Sequence, residues 1–311
     1  KIKIKSTGFV FLGPILGAFV EQDQKDMEKK KKSEQMTVLA AGTFANLIFA
    51  LLFWLLYFGF FIAAFNPAGA QFNSYSQAII PIGAITGFGN ISETLTEVYS
   101  GNETYLIDED MKVQLNPELN ASLIRVYHDA PAVKNNLKGV IVGIDDALIK
   151  DQDSLANYLE DKKSGDEITI TTNIDGEEEK YGIVLGEHPL EEGKGYIGIG
   201  FTPDKGKGIV SGFISFFMWF EKDSTYYEPQ WDGDFSIFIK HLLWWIMIIN
   251  LLVALFNMMP LGILDGGQFF YLIILSLTGS KGFAKILFKI FTYAILFMFF
   301  LLMMFWFVRV F

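Results

Sequence analysis

The sequence predicts an α-helical polytopic membrane protein of about three spans, one of them broken, with a membrane-associated β segment and an inserted α+β domain. Three observations carry this. Residues 37–65 and 290–308 contain no charged residue, and roughly 20 apolar residues suffice to cross the hydrocarbon core. Residues 241–279 form a third apolar run whose one acidic group is Asp265. The polar sequence is concentrated elsewhere: residues 66–240 hold 29 of the 35 acids against 13 Lys/Arg, giving −16, while the remainder carries 6 acids and 12 bases, giving +6. The net charge of −10 therefore belongs to an insert, and the expected environment of the rest is a lipid bilayer. No basic patch marks a nucleic-acid surface, so nucleic acid is not an expected partner. Cysteine is absent, which excludes disulfides and thiolate metal sites. The chain opens on Lys1, without a signal-peptide layout, and is expected to be the remainder of something longer.

Taken in order, residues 1–36 are expected to form a membrane-associated β segment and a basic cytoplasmic loop. Lys/Ile alternation and an apolar, Gly-interrupted run make residues 1–12 a strand, turning at Gly13-Pro14. A solvated loop with five lysines follows. Residues 37–65 are the first transmembrane helix. Residues 66–120 read as an extracytoplasmic connecting region, and its triplets Asn90-Ile-Ser and Asn102-Glu-Thr, with Asn120-Ala-Ser at its end, fit glycosylation acceptors without arguing strongly for them. Residues 121–205 are the α+β domain: a short helix after Ala130-Pro131, a strand at 139–144, a helix near 153–161, two strands joined by Asp175-Gly176, and a closing strand at 195–201. An Asp-Gly between alternating runs is a hairpin signal. Residues 206–240 read as an interfacial linker.

Residues 241–279 are too long for one straight helix. At about 1.5 Å per residue they would extend nearly 60 Å, about twice the bilayer core. Pro260 and the glycines at 262, 266 and 267 supply the break, and residues 290–308 form the last span. Lysines 25 and 29–32 place the start of the first span in the cytoplasm, with residues 66–240 outside and Lys281, Lys285 and Lys289 in a second cytoplasmic loop.

The stretch 256–268, "FNMMPLGILDGGQ", raises the chemical question. An ionisable residue at membrane depth is costly and points to function. Asp265 is open to four roles: metal ligand, general base, ion-coupling group, or turn residue. Asp-Gly-Gly is good turn chemistry, but Asn or Ser would serve a turn without the desolvation cost. An aspartyl pair needs two carboxylates sharing a proton, and the apolar segments offer one. A serine site needs a base on a later span, and no histidine follows His241.

The order N-x-x-P-x-x-x-L-D-G, with Asn257, Pro260, Leu264, Asp265 and Gly266, resembles the motif of the site-2 protease family of intramembrane zinc metalloproteases. Residues 6–21, "STGFVFLGPILGAFVE", resemble that family's Gly-rich β segment. "AAGTFANLI", with Gly42 and Asn46, resembles its G-x-x-x-N element. The insert resembles a PDZ domain of the prokaryotic kind, which binds extended peptides by strand addition. The resemblance implies one Zn²⁺ with Asp265 as a protein ligand, and Asn46, Asn257, Pro260 and Gly266 as substrate-binding or site-supporting residues. It implies transmembrane protein substrates, and a multi-pass protein of a prokaryotic cell membrane with the PDZ-like insert on the extracytoplasmic side. One element of the family pattern is missing. His128, His188 and His241 are the three histidines, and none forms H-E-x-x-H. The catalytic glutamate is thus not among these residues. Two expectations follow: a protease whose H-E-x-x-H lies on a segment absent from this chain, or an inactive membrane scaffold that binds peptides through its PDZ-like domain. A transporter coupling ions through Asp265 would call for a repeated broken helix, which the sequence lacks.

Overall fold

The computed structural model describes residues 4–12, 15–92, 94–115, 122–201 and 208–310. It divides into a helical unit, residues 1–61 and 237–311, and a β-rich unit, residues 62–236. The expected turn at Gly13-Pro14 and the triplet beginning at Asn120 lie outside the described residues.

The helical unit opens with strands β1 (Ile4–Leu12) and β2 (Ile15–Gln22), which pair antiparallel with Leu12 opposite Ile15. The lysine-rich segment, expected as a loop, instead holds a short helix, α1 (Gln24–Glu28). Asp23 caps it, accepting from the Lys25 and Asp26 N–H groups. Helix α2 (Lys32–Ala64) then starts five residues before the apolar run, because Lys, Ser, Glu and Gln extend a helix readily once the span has nucleated it.

The β-rich unit follows directly. Its strands are β3 (Phe65–Gln71), β4 (Ser74–Tyr75), β5 (Gln77–Pro81), β6 (Ile85–Asn90), β7 (Leu95–Ser100) and β8 (Glu103–Asp108), then helix α3 (Glu109–Lys112) and strand β9 (Leu123–His128). Helix α4 (Pro131–Lys134), strands β10 (Val140–Ile144) and β11 (Ala147–Leu148), and helix α5 (Gln152–Glu160) come next. Strands β12 (Glu167–Ile174), β13 (Glu177–Val184), β14 (Gly186–His188), β15 (Glu191–Tyr196) and β16 (Ile199–Gly200), helix α6 (Ile209–Phe217) and strand β17 (Thr225–Pro229) complete the unit.

Two larger sheets organise most of these elements, beside the pairs β14-β15 and β16-β4. One has the order β13-β12-β10-β3-β17, with β11 attached to β10; the other runs β5-β9-β8-β7-β6. Residues 66–120, read from the sequence as a connecting region, thus supply most of a second sheet. Its own core is Val98, Ile107, Met111, Ile124 and Val126. Strand β9, from the segment assigned to the α+β domain, completes that sheet, while β3 and β17, from outside the segment, flank β10. The strand and helix order expected for 131–184 is present. Asp175 and Gly176 both take positive φ, 51° and 94°, which matches the twist of the β12–β13 hairpin. The closing strand expected at 195–201 is instead divided. Gly198 has φ +90°, and a Cβ there would lie 2.0 Å from that of Ala130, so the chain turns; Tyr196 ends β15 and Ile199 begins a separate pairing with β4. The linker 206–240 contains α6, β17 and the start of the next helix.

Helix α7 (Gly233–Asn257) returns to the helical unit, a seven-residue break follows, and then come α8 (Asp265–Thr278) and α9 (Lys281–Val310). Among the described residues, three helices are long and apolar enough to cross a membrane: Lys32–Ala64, Gly233–Asn257 and Lys281–Arg309. Gly279, at φ 69°, ends α8 in the left-handed conformation and donates its N–H to Leu275. The turn back into α9 brings Ile274, Leu275 and Ala284 together.

Candidate functional site

The break in the third apolar run is built by close backbone approach. Helix α7 stops at Asn257, the chain turns through Met258–Leu264, and α8 begins at Asp265. A Cβ on Gly266 would sit 2.2 Å from the Met258 carbonyl carbon, and one on Gly267 2.0 Å from the Leu261 oxygen. Only glycine lets the first turn of α8 lie on the loop that precedes it. These two glycines, counted as breakers from sequence, are therefore helical residues that seat the break. Pro260 belongs to the break itself. Its carbonyl accepts a hydrogen bond of 2.9 Å from the Thr292 hydroxyl, which ties the loop to α9.

Asp265 is the first residue of α8, where the unpaired N–H groups and the helix dipole favour a carboxylate. Its side chain is exposed in the folded chain. Asn257 ends α7 and Asn46 lies in α2; both are half-buried.

Packing among the helices sets their levels. Tyr57 meets Trp244 at 5.5 Å between ring centroids, and the Lys240 ammonium lies 4.8 Å from the Phe61 ring centre. Lys32 donates to the Leu275 carbonyl at 3.1 Å, and Leu39 packs with Leu272 and Phe269. Helix α2 therefore runs antiparallel to both α7 and α8. Its inward stripe is Leu39, Thr43, Asn46, Ala50, Tyr57 and Phe61, spaced by three, four or seven residues. Counting one turn on from Leu39 brings Thr43 level with the start of α8, and counting back from Tyr57 brings Asn46 level with the end of α7. The sequence reading missed Thr43. It is 7% exposed, and its hydroxyl has no hydrogen-bond partner among the described residues. Its place on the Gly42–Asn46 segment, four residues after Leu39 on one helix face, was the available signal.

The histidines lie elsewhere. His188 accepts the Leu190 N–H at Nδ1, 3.2 Å away, so it is a local-turn residue. His128 lies against Tyr105, the rings tilted by 50°; burial lowers its pKa, and the Glu103 charge partly offsets this. His241 is exposed on α7. Among the described residues no three His, Cys, Asp or Glu side chains converge to hold a metal.

The β-rich unit carries a groove of about 400 Å³ between α5 and the segment 194–201. Leu155, Leu159, Ile197, Ile199 and Phe201 give it an apolar floor, with Gln152, His188 and Lys194 at the rim. Helix α5 is held by a capping box: Asp151 accepts from the Ser154 N–H, and the Ser154 hydroxyl accepts from the Asp151 N–H. Lys222 bridges Asp151 and Asp153 at 2.7 and 2.9 Å. That ammonium, together with the Ser154 N–H, lowers the Asp151 pKa, and the Lys222 pKa is raised in return.

The sequence pattern of peptidase family M50 matches residues 1–222 and 227–304. No curated protein matches the chain.

Proposed function

The chain belongs to peptidase family M50, the site-2 protease family of membrane metalloproteases, and from that premise we propose that it serves intramembrane zinc proteolysis of transmembrane protein substrates. The observation that carries this reading is the seated break: two obligatory glycines place a lone carboxylate at the first residue of a helix inside an apolar run. A hydrolytic zinc site needs three protein ligands and an open position. The described residues do not supply that set, so the donors present do not by themselves fit the ion. Asp265 is assigned as one ligand; H-E-x-x-H, which would supply two histidine ligands and the glutamate, does not occur in these 311 residues.

The chain's own residues then have definite tasks. The outer edges of the β1–β2 hairpin carry no further strand among the described residues, and an unwound substrate segment adds to one of them through main-chain hydrogen bonds. Asn46 and Asn257 offer amide groups to that backbone at the level of the break. The PDZ-like insert lies on the extracytoplasmic side, where its groove receives an extended peptide and filters substrates. Zinc measured in the protein purified from its native membrane together with the segment that carries H-E-x-x-H, and in its Asp265→Ala variant, tests the core of this reading. A clear loss in the variant is expected; equal content in the two would overturn it.

The groove favours a second reading, in which the protein is an inactive membrane scaffold. Under it, cleavage of a transmembrane reporter would be absent, while peptide binding would persist and fall on Leu155→Glu.

A further inference from the structure

The start of α9 runs against its own dipole. Lys281 is the first residue, where the helix dipole disfavours a cation, and no acid occupies the first turn. Lys285 and Lys289 follow at intervals of four, which puts the three lysines on one side of the helix. All three are exposed, and none forms an ion pair among the described residues. Asp265 is the last acid in the chain, so nothing later in the sequence neutralises them. A fourth ammonium stands at the same end: Lys32 donates to the Leu275 carbonyl, which also accepts the Gly279 N–H at the turn into α9.

The helix itself sets the depth of these lysines. It is continuous from Lys281 to Val310, and Lys289 and Arg309 bracket its uncharged run, residues 290–308. The rise from Lys289 to Arg309 is about 30 Å, the thickness of the hydrocarbon core. Lys289 therefore stands at the core boundary, with Lys285 about 6 Å beyond it at headgroup depth. Lys281 lies about 12 Å out, and its flexible stem lets the ammonium bend back toward the phosphates. Ala284 packs on Ile274 and Leu275 of α8, whereas Phe283, Ile286 and Ile290 leave an exposed apolar flank for acyl chains.

We propose that Lys281, Lys285 and Lys289, with Lys32 at the neighbouring helix end, form a binding site for anionic phospholipid headgroups. Unpaired cations at headgroup depth, on a helix whose next residues are lipid-facing, find their counter-charge in the bilayer itself. The positive end of the α9 dipole adds to the attraction.

The absence of cysteine allows a local test. Ile290→Cys carries a fluorophore in the whole chain, reconstituted in phosphatidylcholine bilayers holding a minor share of phosphatidylglycerol. Quenching bromines are placed on the upper acyl chain of one lipid or the other. Phosphatidylglycerol should be enriched beside residue 290 by about fivefold for each lysine engaged. That preference should vanish when Lys281→Gln, Lys285→Gln and Lys289→Gln are combined, and survive when the same three positions carry arginine. Equal quenching by the two lipids, or a preference that persists in the glutamine variant, would overturn the proposal. So would a preference abolished by millimolar glycerol phosphate, which would identify a soluble phosphate ligand instead of lipid.

Discussion

The two units of this chain use burial in opposite ways. In the β-rich unit Ile141, Ile144, Ile170 and Leu137 are fully buried, and the charges lie outside. In the helical unit Leu51, Leu52, Leu55 and nearly all of α9 face outward, because lipid is as apolar as leucine and gives no reason to hide them. Side-chain hydrophobicity thus marks the core of one unit and the outside of the other. In the helical unit the informative residues are the exceptions: small ones such as Ala50, Ala254 and Gly266 that admit close approach, and the polar group Thr43, Asn46, Asn257 and Asp265.

Paired truncations are the strongest way to break this contrast. Ile141→Ala should cost about 4 kcal/mol of unfolding free energy in the β-rich unit through lost transfer energy and a cavity. Leu52→Ala in α2, measured in lipid, should stay within about 0.5 kcal/mol. Similar losses at both would show that α2 is covered by protein rather than lipid. Gly267→Ala comes next: its Cβ would meet the Leu261 backbone, so about 3 kcal/mol is expected from overpacking, with loss of reporter cleavage. Thermal unfolding in detergent reads the first effect, and a tolerated alanine would mean that the break does not rest on this approach.

Thr43→Val should act with the opposite sign. Removing an unpaired buried hydroxyl is expected to stabilise the helical unit by about 1 kcal/mol, while Thr43→Ser, which keeps the hydroxyl and loses a buried methyl, should bring no gain. Stability that falls in Thr43→Val would reveal a hydrogen bond in the membrane. The smallest effect belongs to the cap of α5. Asp151→Ala should cost about 1 kcal/mol. The folded pKa of Asp151 lies below its unfolded value of about 3.9, so its contribution is full above that value and is lost as pH falls below it. The acid limb of unfolding, followed by circular dichroism, should flatten in Asp151→Ala.

Much of the membrane plan was legible from residues alone. The two uncharged runs, the over-long third run with Pro260, and Asp265 within it are local properties of length and hydropathy, and the helices formed there. Alternation and the Asp175-Gly176 pair likewise marked the β12–β13 hairpin, since a two-residue turn with positive φ needs only its own residues. The second sheet was not legible. Its strands are short, and β5 pairs with β9 across more than forty residues of sequence, a choice made by a shared core and not by any local signal.

By itself, the sequence determined where the chain can cross a bilayer, where the third run must break, and which single carboxylate stands at that break, because each follows from neighbours along the chain. Tertiary structure alone decided that β3 and β17 close one sheet, that Gly266 and Gly267 seat α8 on the preceding loop, and that Thr43 comes level with Asp265. These depend on which backbones approach within a few ångströms, and that is settled by packing between segments far apart in sequence.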